Sequence, residues 1–438
     1  MSNAGRHPRH PGYPGDPGYT GYTGYQTVDA LFLWYLGHPQ RPVLVGTLHF
    51  LVTVRGVSLR YTPAWLRSGF ALSEDLPLVD MEFIPREKDT AAGAVDDARP
   101  DRWGERVIRL LERPPRLSVL EMLFFAGDDR FGALGVSTSA QHYAPLAKGP
   151  LPRLPDVDAV HDIVRRVIAG QQIDEAQRRL IAPGATMGGA RPKALIEIDG
   201  VEWVLKFAEQ DLSCEPLIEH AAMTLAARAG IVTAATRPIR LARGVAVAVR
   251  RFDRAPGRRH HAISANVALK AAGADLSYPA LAQLLRRRGA LEQGGNRAQM
   301  HELFRRMVFN ILIDNTDDHE KNHVLIMTDA PHYPHFPQYA CLAPAFDVLP
   351  TGQALGYQSM IVGEDGAVSS IDNALSMAAA FGLKRQQALA EAKRVAAVVD
   401  DWPTHFKAAG VGPNTIASLA GQIDRPHLLE QRRSLIAH

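Results

Sequence analysis

Cysteine is nearly missing from this chain. Its two thiols among 438 residues, Cys214 and Cys341, can build neither a disulfide framework nor a thiolate zinc site, and a reducing cytoplasm is the compartment that suits them. No apolar run reaches the length of a membrane span, and the first residues lack the apolar core of a secretory signal. An excess of one charge is missing too. The 49 basic and 46 acidic residues leave +3, too even a balance to argue for nucleic-acid binding. What is present, 46% hydrophobic and 22% charged residues, is the composition of an ordinary globular protein with room for two or three domains. The expectation is a cytoplasmic protein with no membrane contact and no direct contact to nucleic acid.

Residues 1–27 are rich in Gly, Pro and Tyr, with a crude Gly-Tyr repeat. They offer little aliphatic surface to offset the entropy of ordering, and read as a disordered tail. Residues 28–136 read as a small α+β subdomain. A strand over 43–54 and a second over 57–61 form a hairpin around Arg55-Gly56. Thr62-Pro63 starts a helix, and Pro100-Asp101-Arg102-Trp103-Gly104 opens another over 105–112. This subdomain shows no obvious chemistry. Residues 137–258 read as β-rich, with a hairpin at Asp199-Gly200 and an amphipathic helix over 217–229. Residues 259–438 turn helical, with segments 280–288, 301–313, 373–381 and 385–399 at helical period.

The densest polar stretch lies between two apolar runs. Phe309, Ile311, Leu312 and Ile313 lead into Asn315-Thr316-Asp317-Asp318, and Val324-Leu325-Ile326-Met327 follow. Two chemistries compete for it. Asp317 and Asn322 have the D-x-x-x-x-N spacing of a kinase catalytic loop. His319, Glu320 and His323 spell H-E-x-x-H, the signature of a zinc hydrolase. That signature needs a helix placing both histidines on one face, whereas residues 324–327 read as a strand. No Glu lies between Glu320 and Glu364 to supply a third ligand, and His332 and His335 stand in a Pro-rich stretch.

Phosphoryl transfer from ATP asks for positioning and charge rather than covalent chemistry. Backbone N–H groups must cradle the phosphates, a lysine must reach them, oxygen ligands must hold magnesium, and a carboxylate must face the incoming hydroxyl. The chain carries each part in kinase order. Thr186-Met187-Gly188-Gly189-Ala190-Arg191-Pro192-Lys193 is a glycine loop entering a strand. Lys206 interrupts an apolar strand, and Glu219 follows on the amphipathic helix. Asp317 would be the catalytic carboxylate, with Asn322 and Asp347 as metal ligands. The ordered set favours the kinase reading over zinc. A catalytically silent kinase-like binding module is the second alternative, opposed by the retention of Lys206, Asp317, Asn322 and Asp347 together.

The block Asn315-Thr316-Asp317, His319, Lys321, Asn322 resembles the catalytic loop of HipA-type serine/threonine kinases, the toxins of type II toxin–antitoxin pairs. Ala343-Pro344-Ala345-Phe346-Asp347 is similar to their metal-binding segment, and Gly188-Gly189-Ala190-Arg191-Pro192-Lys193 to their glycine loop. Arg251-Phe252-Asp253-Arg254 resembles the segment joining the lobes beside the adenine, and Pro100–Gly104 with Gly132-Ala133-Leu134 resembles the family's front subdomain. The resemblance implies a two-lobed protein-kinase-like fold, β-rich N-lobe before helical C-lobe, behind a small α+β subdomain. It implies Mg2+ and ATP as cofactors. Gly188, Gly189, Ala190, Lys193, Lys206, Glu219, Arg251 and Phe252 would serve ATP, with His319 and Lys321 steadying the loop. It also implies autophosphorylation at Thr186, where the family often has Ser. The substrate would be a protein, an aminoacyl-tRNA synthetase or another translation component, and a DNA-binding antitoxin would be a separate chain.

Overall fold

The computed structural model describes residues 27–437 apart from 115, 147–148, 179, 182–188, 211–212, 292–293, 331–332 and 354. The Gly/Pro/Tyr-rich tail, Thr186 and Gly188 therefore lie outside the described residues. The front unit is an antiparallel sheet in the order β4-β3-β2-β1-β5, built from β1 (Ala30–Tyr35), β2 (Val43–Leu51), β3 (Gly56–Tyr61), β4 (Glu82–Phe83) and β5 (Leu134–Ser137). The hairpin expected at Arg55-Gly56 forms, but β2 ends at Leu51 rather than at residue 54. Arg55 sits in the left-handed region (φ 48°) and Val52 is 77% exposed, so residues 52–55 are spent on the turn. Helix α1 (Pro63–Ser68) begins where Thr62 accepts from the Trp65 N–H at 3.2 Å. Asp101 likewise caps α2 (Arg102–Leu111) by accepting from the Gly104 N–H at 2.9 Å. Helix α3 (Val119–Phe125) is buried along its whole length, and its capping-box Glu121 is neutralised by Arg116 at 3.0 Å.

The second unit carries α4 (Val157–Ile168), α5 (Glu175–Arg178), β6 (Lys193–Ile198), β7 (Val201–Lys206), α6 (Glu215–Arg228), β8 (Thr236–Arg240) and β9 (Val245–Arg250). Its antiparallel sheet runs β6-β7-β9-β8. Asp199 (φ 53°) and Gly200 (φ 74°) make the two-residue turn between β6 and β7. Strand alternation then divides the sheet. Ala194, Ile196, Leu205, Ala246 and Ala248 pack with α4 and with Trp103, Val107 and Leu111 of α2. Leu195, Val204 and Val249 join the larger core with Ala221, Ala222, Leu225 and Ala226 of α6. By the same period Lys193 and Lys206 fall on the α6 face, directly opposite each other across the β6–β7 pair.

The last unit follows a short hairpin, β10 (Arg254–Ala255) and β11 (Arg258–Arg259). It comprises β12 (His261–Ser264), α7 (Ala265–Ala271), α8 (Tyr278–Arg288), α9 (Gly295–Leu312), β13 (Val324–Ala330), β14 (Tyr333–Leu342), α10 (Ile371–Ser376), α11 (Arg385–Asp400), α12 (Trp402–Ala408), α13 (Pro413–Ile423) and α14 (Pro426–Ala437). Central α9 buries Leu303, Phe304, Met307, Val308, Ile311 and Leu312. The helix expected over 373–381 breaks after Ser376 and resumes as a 3-10 turn, Ala378–Phe381, closed by Gly382 at φ 73°. A sheet in the order β12-β13-β14 interrupts the helices. Its edge strand β14 runs through Pro334 and Pro337, residues that an interior strand would exclude.

Candidate active site

The strand period that buries Val204 also sends Lys206 under α6, where Glu219 waits on the helix's buried side. The Lys206 ammonium donates to Glu219 Oε1 at 2.6 Å and to Asp347 Oδ1 at 2.7 Å. Lys206 and Glu219 are almost wholly buried, so the pair is held by charge rather than by chance contact at a surface. Burial opposes the charge on Lys206, yet Asp347 and Glu219 outweigh it and raise the ammonium's pKa. Burial also pushes Asp347 upward, but Lys206 and then Arg191 hold its carboxyl at about 2.

Asp347 reaches this point on a clamped segment. Ala345 donates to the Val232 carbonyl at 2.8 Å and accepts from the Ala234 N–H at 2.9 Å, while Arg306 donates to the Ala343 carbonyl at 2.9 Å. Asp347 itself adopts φ 57°, a left-handed conformation that Asp tolerates better than most residues. Arg191, following the glycine loop, brings a guanidinium nitrogen to 3.7 Å from Asp347 Oδ1. Its positive charge is supported by Asp347, Glu219, Glu215 and Asp317, against the burial that opposes it. Arg191, Lys206, Glu219 and Asp347 thus form one charged cluster, and the charge of Asp317 is felt at Arg191.

The turn from Asp317 to Asn322 rests on Asp318, to which the sequence alone assigns no role. Asp318 is buried and accepts from Asn310 Nδ2 at 2.7 Å, from His323 Nε2 at 2.8 Å and from the Tyr278 hydroxyl. Burial raises its pKa, but His323 and these hydrogen bonds win and lower it. The carboxylate of its neighbour Asp317 is exposed and has no hydrogen bond to the described residues. The chain turns tightly between them and the strand: the His319 N–H donates to the Asp317 carbonyl at 2.8 Å, and the Asn322 N–H donates to the His319 carbonyl at 2.8 Å. Asn322 Nδ2 donates to the Asp317 carbonyl at 3.3 Å, while its Oδ1 is buried with no hydrogen-bond partner among the described residues. The Thr316 carbonyl accepts from Ser359, and its hydroxyl pairs with Thr351 at 2.7 Å. Lys321 is exposed, and its charge falls on Asp97 of the front unit.

This turn is incompatible with zinc chemistry through H-E-x-x-H. His319 is extended (φ −92°, ψ 168°), Glu320–Asn322 form a 3-10 turn, and His323 (φ −109°, ψ 120°) leads into β13. The helix that would put both imidazoles on one face does not exist, and His323 Nε2 already serves Asp318.

Two neighbouring parts of the chain make contacts that no local motif encodes. The Arg251 side chain is buried in a charge knot: it pairs with both oxygens of Asp253 at 3.0 and 2.7 Å, with Glu202 at 3.0 Å, and with the Asp129 and Arg130 carbonyls. Phe252 beside it is half-buried between Phe131 (6.0 Å) and Phe346 (5.4 Å). The front subdomain, which shows no chemistry in its sequence, reaches the site. Asp101 forms an ion pair with the buried Lys193 ammonium, which also donates to the Gly189 carbonyl at 3.2 Å. The Trp103 indole donates to the Lys193 carbonyl at 2.8 Å. Gly189 stands at φ 98°, where a side chain would be strained.

Comparison with known proteins matches residues 41–137 to the HipA N-terminal domain and residues 185–402 to the HipA-like C-terminal domain. A protein of Sinorhizobium fredii (strain NBRC 101917 / NGR234) named "Putative kinase Y4dM" is 29% identical over 271 residues, covering 59% of this chain. That match spans 60% of the relative's own length. Among solved structures, HipA from the Shewanella oneidensis MR-1 toxin–antitoxin complex with HipB and operator DNA superposes with a TM-score of 0.63. The match covers 92% of this chain and 97% of that one at 18% identity, a likeness of fold.

Proposed function

The chain belongs to the HipA family and has its kinase-like fold, and on that basis we propose that it is an ATP-dependent serine/threonine protein kinase. The observation that carries this reading is the buried Lys206 ammonium shared between Glu219 and Asp347. Burying three ionised groups in one cluster is costly unless they are used. A lysine fixed by a helix glutamate is the device that presents a cation to ATP phosphates in kinases.

On this reading Gly188, Gly189 and Ala190 offer backbone N–H groups to the phosphates, with Lys193 beneath the loop and Lys206 opposite. Phe252, packed on Phe346, offers an apolar surface to the base beside the Arg251 segment. Asp317, its carboxylate exposed and without a hydrogen bond to the described residues, accepts the proton of the incoming hydroxyl as that hydroxyl's oxygen attacks the γ-phosphorus and the bond to the ADP oxygen breaks. Asp318, locked by three donors, keeps the loop's backbone still. His319 contributes its backbone to the same turn, and Lys321 adds a positive charge on the turn's outer side that Asp97 feels.

Asn322 and Asp347 fit magnesium. They are an amide oxygen and a carboxylate, the hard donors this ion takes, and Asn322 Oδ1 is buried with no hydrogen-bond partner among the described residues. Magnesium would neutralise charge on the phosphates there. In the reading we favour, the substrate is a protein hydroxyl, with a translation component such as an aminoacyl-tRNA synthetase as the first class to test. Thr186 is the proposed autophosphorylation site. The chain acts as a growth-inhibiting toxin whose partner is a separate DNA-binding chain, by analogy with the HipB-bound relative. The test is transfer of labelled γ-phosphate, with magnesium, to the protein itself or to a lysate. Wild type should label and Asp317→Ala should not; equal labelling by both would overturn the proposal.

A further inference from the structure

The Pro100–Gly104 motif sits at the start of α2 in the front subdomain, yet two of its side chains end at the glycine loop. The reason lies in the sheet. Lys193 and Lys206 are directly opposed across β6 and β7 and point to the same face. Like charges at such a pair repel, and both ammonium groups are buried. Lys206 is compensated by Glu219 and Asp347. Lys193 is compensated from outside the lobe, by Asp101, 92 residues earlier in the chain. Asp101 uses its two oxygens separately: Oδ1 caps α2 through the Gly104 N–H, and Oδ2 takes the Lys193 ammonium. The Trp103 indole fixes the Lys193 backbone, and the ammonium in turn holds the Gly189 carbonyl. Both the Lys193 ammonium and Asp347 Oδ2 lie 3.9 Å from the position a Gly189 Cβ would take.

We propose that Asp101 is a positioning residue of the phosphate site, acting through Lys193 to seat the glycine loop. The front subdomain is thereby part of the nucleotide site rather than an appendage. Without the Asp101 charge, the Lys193 ammonium loses a buried carboxylate partner while Lys206 still faces it across the strand pair and Asp347 still attracts it. The Gly189 carbonyl then loses its Lys193 donor, and the backbone of residues 189–191 loses its fixed direction. Any partner that lifts the start of α2 would weaken nucleotide binding in the same way. This inference rests on the kinase reading for its ligand, not for its geometry.

The test uses Asp101→Asn and Asp101→Ser in the full chain, because both residues still cap a helix while neither carries the charge. Magnesium ADP affinity should fall about tenfold, the loss expected for one buried charged hydrogen bond. Lys193→Met should fall similarly, and Lys193→Met with Asp101→Asn should be no weaker than Lys193→Met alone. Amide exchange should quicken at residues 189–191 while the α2 amides stay protected. Unchanged affinity in both Asp101 variants, additive losses in the double variant, or equal loss of protection along α2 would overturn it. If wild type bound no nucleotide, the kinase reading would fail by itself. Exchange at residues 189–191 in the nucleotide-free variants would still decide the role of Asp101.

Discussion

Around Asp253 every carboxylate oxygen is engaged. Oδ1 accepts from Arg251 at 3.0 Å, and Oδ2 accepts from Arg251, Arg254 and the Gly132 N–H at 2.7, 2.7 and 2.8 Å. Two guanidinium groups face two carboxylates, since Glu202 also receives Arg251 at 3.0 Å. Around Asp347 the balance differs. One lysine is shared between Asp347 and Glu219, Arg191 approaches only to 3.7 Å, and Asn322 Oδ1 is a buried acceptor with no partner among the described residues. The two clusters use the same residue types in one chain. The saturated one ties the front subdomain to the lobe junction, and the unsaturated one is where the proposed function places the charge of a ligand.

The sharpest way to break this contrast is within one dipeptide. Asp317→Ala should lower phosphoryl transfer on the order of a thousandfold and leave thermal stability close to wild type, because the side chain is exposed. Unfolding curves and labelling on the same preparation check both. Asp318→Ala, which orphans Asn310, His323 and Tyr278, should instead appear first as lost stability.

Arg251→Met should cost about 3–5 kcal/mol in denaturant unfolding, the penalty for leaving a buried ionic partner unpaired. Asn322→Ala should cost about 1 kcal/mol or less, since it removes one long hydrogen bond, while abolishing the magnesium dependence of nucleotide binding. A comparable stability loss at both sites would erase the distinction. The smallest effect is a pH slope. Burial pushes the Asp253 carboxyl up, but Arg251 and Arg254 hold it far below its ordinary range. A depressed folded value means the unfolded chain binds the proton first as acid is added. The stabilisation is therefore complete above about pH 4 and is lost as pH falls below it. Asp253→Asn, already less stable, should show a flatter stability curve between pH 5 and 3.

The sequence exposed those parts of the site that a local period or a fixed spacing encodes. Asp317 and Asn322 share one turn, Lys206 follows strand alternation, and Glu219 follows the helical stripe of α6. What stayed hidden depends on distant partners. Nothing local pairs Asp101 with Lys193, or sends Arg251 to the Asp129 and Arg130 carbonyls. Asp317 and Asp318 are the same residue type side by side, and only the packing of α8, α9 and β13 separates their roles. The β12-β13-β14 sheet was half visible: residues 324–327 read as a strand, but β12 is only four residues long and the prolines of β14 disguise its other edge.

On the proposed function, the cluster of Lys206 and Asp347, with Asn322, is completed by a metal-bound nucleotide. Calorimetric titration of the full chain with ATP, with and without magnesium, tests this directly. The account predicts saturable binding that weakens at least about tenfold without magnesium and disappears in Asp347→Asn. No binding by wild type, or binding indifferent to both magnesium and Asp347, would contradict it.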